Sequence, residues 1–106
     1  MQIINTTPHP VNIVDKNGNI INTFPKGDFN IRLSVNTVDS GTINGVPISK
    51  TVFGDPIGLP DFVDGTFFIV SQLVKSAIPN RLDLLVPAQV VRDDKGNIIG
   101  CQSLGI

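Results

Sequence analysis

Ile13-Val14-Asp15-Lys16-Asn17-Gly18-Asn19-Ile20-Ile21 sets two apolar runs on either side of a polar turn, and Val91-Arg92-Asp93-Asp94-Lys95-Gly96-Asn97-Ile98-Ile99 repeats the arrangement near the other end of the chain. In each, a glycine (Gly18, Gly96) stands where a tight hairpin turn takes the backbone to positive φ. Both stretches therefore read as β-hairpins. Shared turn chemistry accounts for the echo, and no internal repeat is assigned.

Outward from these hairpins the same text continues: short segments rich in Val, Ile and Phe, separated by Gly, Pro, Asn and Asp, the pattern of many short strands joined by turns. Strands are predicted over 2–5, 11–14, 19–24, 31–38, 46–53, 67–70, 83–86, 90–92 and 98–102. The one helix is predicted over 71–78. Ser71 supplies an N-cap, Leu73, Val74, Ala77 and Ile78 an apolar face, and Pro79 a stop. Two turns of helix are not stable alone, so this one must pack on the sheet. Residues 39–45 and 54–65 read as loops, the second long, with three Gly and two Pro. The expected fold is mainly β: one β-rich domain over 1–106, built as a small barrel or sandwich of short, mostly antiparallel strands.

Size and charge narrow the function classes. A chain of 106 residues and 11.4 kDa is one domain, with an expected folded surface of about 5,800 Å² and roughly 65% of its extended surface buried. It is 41% hydrophobic and 16% charged, too apolar for a disordered protein. So few charges leave apolar surface to be covered, and a homo-oligomer is expected. A net charge of −1 gives no general attraction to duplex nucleic acid. The lone Cys101 offers no intrachain disulfide, which points to a reducing, cytoplasmic compartment. No apolar run reaches the roughly 20 residues of a membrane span, and residues 1–6 do not resemble a leader.

Catalytic chemistry finds few groups to work with. The one histidine, His9, is held between Pro8 and Pro10, a placement that suits a structural or partner contact, or a ligand contact, better than a general base. One His and one Cys do not make a zinc site, and Asp15–Asn19 lacks the carboxylates of a calcium loop. The expectation is a protein that is not an enzyme and needs no metal or cofactor. Cys101, in an apolar strand, reads as buried filler. The six phenylalanines read as core rather than as a stacking surface for bases.

A candidate anion site remains. Ser71 and Gln72 open the helix, where free amides face a negative group, and Arg32, Arg81 and Arg92 are the chain's three arginines, the side chain suited to bidentate phosphate binding. The competing reading pairs Arg81 with Asp83 and Arg92 with Asp93 or Asp94. Arg32, Arg81, Ser71, Gln72 and His9 are the ligand-binding candidates, brought together at a subunit boundary.

Thr7-Pro8-His9, Thr23-Phe24-Pro25, Gly45-Val46-Pro47, Gly58-Leu59-Pro60, Ile69-Val70-Ser71, Arg81-Leu82-Asp83, Val91-Arg92-Asp93 and Ile99-Gly100-Cys101 carry a further signal. Through them, over nearly its full length, the chain resembles a family of small uncharacterised proteins encoded by bacteriophages and prophages. The resemblance implies a gene on mobile DNA acting in a bacterial host's cytoplasm, and no reaction. Phage proteins of this size include oligomers that sequester the signalling nucleotides of bacterial immunity. The leading expectation is thus an anti-defence protein that captures a small phosphorylated molecule. The alternative is a protein-interaction or virion-associated module that binds a host or phage protein.

Overall fold

A computed structural model describes all residues 1–106. The chain forms β1 (Gln2–Asn5), β2 (Val11–Val14), β3 (Ile20–Phe24), β4 (Val35–Ile43), β5 (Val46–Phe53), β6 (Thr66–Ile69), α1 (Gln72–Ala77), β7 (Leu84–Arg92) and β8 (Ile98–Gly105). Six strands make one sheet in the order β1-β6-β7-β8-β2-β3, and β4 and β5 make a second sheet of two strands. The fold is mainly β, of two sheets and one short helix, with no closed barrel. Most paired residues lie in the antiparallel ladders β2/β3, β4/β5 and β7/β8, while β1/β6, β6/β7 and β2/β8 are short parallel contacts.

The two echoing turns have the same geometry. Asp15 and Asp93 each close the loop twice: the backbone N–H donates to the carbonyl of Asn19 or Asn97 (2.9 Å), and one carboxylate oxygen accepts two amides within the turn. Three residues lie between the closing pair, so each loop is one residue longer than the tightest hairpin. Gly18 (φ 85°) and Gly96 (φ 84°) sit in the left-handed position that such a loop requires. The amides of the turn hold the Asp15 carboxyl below its ordinary value, Asn19 contributing most.

Helix α1 begins as expected, with Ser71 Oγ accepting from Val74 N at 3.3 Å, and Ile78 caps its end before Pro79. It connects the parallel neighbours β6 and β7. Its Val74, with Ile78, packs on Phe68, Val70, Leu84 and Val86, while Leu73 stays exposed. Alternate residues of the same strands, Ile69 and Leu85, face a second cluster with Val11, Phe24, Cys101 and Leu104. Strand β6 is thus covered on both faces, which is why Phe67-Phe68-Ile69-Val70 is apolar without alternation. Of the six phenylalanines only Phe68 is fully buried; Phe29 and Phe62 are exposed, contrary to the reading of all six as core.

Several boundaries depart from expectation, β8 among them, which runs on to Gly105 rather than ending at residue 102. The predicted strand over 31–38 begins later and runs on: β4 extends to Ile43 through residues expected to be loop. A register shift between Asp39 and Thr42, with Asp39 Oδ1 accepting from Gly41 N, absorbs the polar Asp39-Ser40-Gly41 without ending the strand. The turn is then Asn44-Gly45 alone, with φ 53° and 80°, the dipeptide favoured in two-residue hairpins. Residues 83–86 and 90–92 join into one strand, β7. Pro87 is tolerated there because β7 outruns β6 beyond Leu85, which leaves the edge of β7 opposite β8 without a partner at that point.

The hairpin β4/β5 stands away from the core. Every β4 residue is exposed, and β5 is exposed except at Ile48 and Phe53. Its root is fixed, however. Arg32 and Ile57 exchange backbone hydrogen bonds at 2.8 Å, Gly54 N donates to Ser34 O at 2.9 Å, and Ile31 and Leu59 pack against the helix-side core. The loop 54–65 is in part the returning stem of this arm. The consequence is an elongated chain, 52 × 38 × 21 Å, with a radius of gyration of 16.8 Å against about 13 Å for a compact domain of this length.

Candidate functional site

The six-stranded sheet is drawn together at one end by Asn5, buried at the end of β1. Its Nδ2 donates to the carbonyls of His9 (2.8 Å), Pro25 (3.1 Å) and Phe24 (3.3 Å), and its Oδ1 accepts from Thr7 N (2.9 Å) and Thr7 Oγ1 (2.7 Å). Thr7 O in turn accepts from Gly27 N at 2.8 Å. A Cβ at Gly27 would lie 2.2 Å from Asn5 O, so the approach of the two edge strands there depends on glycine. Thr6 Oγ1 donates to Ile69 O at 2.6 Å and fixes the segment to β6.

This knot forms one wall of the largest hollow in the chain, a cleft of about 710 Å³ whose lining includes Thr7, His9, Phe29, Asn30, Ser71 and Gln72. Its volume falls in the range that takes up a small molecule. Three of the five sequence-predicted contacts, His9, Ser71 and Gln72, therefore share one cleft. His9 is exposed, and its backbone carbonyl is held by Asn5 and Thr7.

The arginines do not join them. Arg81 Nε and Nη2 each meet an Asp83 carboxylate oxygen at 2.7 Å, and Nη2 also donates to Pro60 O at 3.0 Å. Asp83 is 1% exposed. The guanidinium fork holds the Asp83 carboxyl below its ordinary value against the opposing effect of burial, and the same hydrogen bonds raise Arg81. Arg81 is thus an internal tie between the 54–65 loop and the start of β7, facing a different hollow with Lys75 and Ser76. Arg32 is exposed at the root of the arm, and Arg92 donates to Gly96 O at 2.9 Å rather than to Asp93 or Asp94. Cys101 is buried, its Sγ 3.7 Å from Asn12 O, and burial pushes its thiol up, which keeps it inert. No three His, Cys, Asp or Glu side chains gather as ligands would, and no helix is long and apolar enough to cross a membrane.

No protein family, curated protein or solved structure matches this chain. Function must therefore be argued from geometry, and the arm is the feature that sequence reasoning missed. The register pairs Asn36 with Val52, Val38 with Lys50, and Ile43 with Val46. With Ile48, which alternates with Val46 and Lys50, these residues place Val38, Ile43, Val46, Ile48 and Val52 on one face together with Asn36 and Lys50; the other carries Thr37, Asp39, Thr42, Ser49 and Thr51, with Val35, Pro47 and Phe53. Side chains of such alternation belong to a hairpin with one face covered. Here Val38, Ile43, Val46 and Val52 are 50%, 63%, 58% and 42% exposed. The signal was present in the alternation of 46–52, paired with the Asn44-Gly45 turn.

Proposed function

We propose that this protein is a non-catalytic protein-interaction module whose β4/β5 arm lays its apolar face on a protein surface. The observation that carries the reading is the amphipathic arm itself, rooted on the core by the Arg32–Ile57 bridge yet covered by no other part of the chain. A two-stranded hairpin is marginal in water without a third layer. Five aliphatic side chains on one side of it, with Asn36 and Lys50 among them, supply the contact area for docking. For a chain of the phage type that the sequence resembles, the partner is a host protein, a phage protein or another copy.

Affinity purification of the native chain and of a Val38→Lys/Val46→Lys variant from producing cells tests this reading. A stoichiometric protein partner, a second copy included, that is held by the native chain and lost from the variant supports it. A native chain that is monomeric and holds nothing in stoichiometric amount contradicts it.

A second reading, capture of a small phosphorylated molecule, is favoured by the shared cleft of His9, Ser71 and Gln72. The chain supplies no guanidinium to that cleft, since Asp83 takes Arg81, so the cation must come across a subunit boundary, with Arg32 the free candidate. Calorimetric titration with cyclic nucleotides and cyclic ADP-ribose isomers decides it: saturable heat supports capture, and heatless titrations end it.

A further inference from the structure

The surface area points to what covers the arm. A compact chain of this mass exposes about 5,800 Å², whereas this one exposes 7375 Å². The excess, about 1,600 Å², is of the order that each subunit contributes to an obligate homomeric interface. The arm between residues 35 and 53 carries one acidic and one basic side chain, Asp39 and Lys50, and the whole chain has a net charge of −1, so contact between identical chains meets little repulsion. The chain also carries a second apolar surface of matching character. On β7 and β8, exposed Val90 (43%), Ile98 (60%) and Ile99 (37%) surround a shallow hollow of about 210 Å³ with Val11 and Cys101 at its base.

The edges of the strands carry the same asymmetry. Strand β5 has Pro47 and Lys50 along its length, two devices that discourage edge pairing. Strand β3, Ile-Ile-Asn-Thr-Phe, forms one edge of the six-stranded sheet with no charge and no proline, and its Ile20 and Ile21 are 60% and 66% exposed.

Resting on the interaction-module reading, we infer that the occupant is a second copy of this chain: the apolar face of each β4/β5 arm covers the Val90–Ile98–Ile99 surface of its partner, completing between two chains the face-to-face packing that one chain leaves open. Such an arrangement is reciprocal, with two arm-on-sheet contacts per dimer.

Sedimentation velocity over a dilution series tests this with three proteins: native, Val38→Lys/Val46→Lys on the arm, and Ile98→Lys on the sheet. All three positions are exposed, so circular dichroism should show each variant folded. The native chain is expected to be dimeric, and each variant to associate at least tenfold more weakly. Mixing the two variants should restore dimers in part, because a mixed pair retains one native arm against one native sheet. Arm variants that associate as tightly as native, or a mixture that gains nothing over its components, would overturn the arm-on-sheet contact. A native chain that is monomeric at every concentration yet holds another protein in stoichiometric amount overturns this inference and leaves the interaction-module reading intact; a monomer that holds nothing removes both.

Discussion

Replacing Asn5 with Ala is expected to lower stability by about 2 to 4 kcal/mol, which for a domain of this size is a fall in melting temperature of about 10 to 25 °C. The side chain is 5% exposed and serves the carbonyls of His9, Phe24 and Pro25 and the amide and hydroxyl of Thr7 at once. Alanine removes every one of these partners and offers water little room to replace them. Asn5→Asp should fare no better, because a carboxylate cannot donate to the three carbonyls. Thermal denaturation followed by circular dichroism checks this. A shift of only a few degrees for Asn5→Ala would mean that the two edge strands do not depend on this residue to meet.

The second large effect concerns Arg81→Met, with an expected loss of about 2 to 3 kcal/mol near pH 7. That is below the range for a fully buried pair, since the Arg81 side chain is 23% exposed and its interaction is partly screened. Its pH dependence has a definite sign. In the native chain the Asp83 carboxyl is held below its ordinary value of 3.8, chiefly by the Arg81 hydrogen bonds. The stabilisation is therefore complete above about pH 4 and lost as pH falls through the lowered folded value. In Arg81→Met the guanidinium no longer offsets burial, which is opposed only by the Asp83 backbone hydrogen bond, so the variant carries a buried charge without its ion-pair partner at neutral pH and sheds the penalty on protonation. Urea unfolding from pH 7 to pH 3 should show the gap between the two proteins widest at pH 7 and narrowing with acid. A gap that stays constant over that range would show that the loss is one of packing and not of charge.

Local signals in the sequence specified what local chemistry determines. The Asp-x-x-Gly-Asn turns at Asp15 and Asp93, the Ser71 cap, the Pro79 stop and the short β2, β5 and β8 cores follow from backbone preferences that act within a few residues. Pairing partners do not. Nothing near Gln2–Asn5 indicates that it lies parallel to Thr66–Ile69, because that choice is made by burial of Phe68 and Ile69 on opposite sides of one strand. The arm was hidden by Asp39-Ser40-Gly41, whose polarity suggests a loop until the opposing strand shows it as a bulge. In the cleft, His9, Ser71 and Gln72 come together because the β1–β2 connection and the start of the helix after β6 lie at the same end of the sheet. Arg81 does not, because Asp83, two residues on, lies in the interior and claims it first. Asn5 carried no motif: an asparagine ending an apolar strand becomes a hub only when Pro25 and Gly27 are folded against it.

Hydrogen exchange of the arm amides, Val38 to Thr51, measured at high and low protein concentration, bears most directly on whether this chain works by having its hairpin covered. An isolated two-stranded arm exchanges quickly wherever its outer edge and both faces meet water. The result predicted is protection that rises with concentration across the arm, while the amides of β6 and β7 stay protected throughout. Fast exchange in the arm at every concentration, beside a protected core, would contradict the covering of the arm by a second copy of the chain.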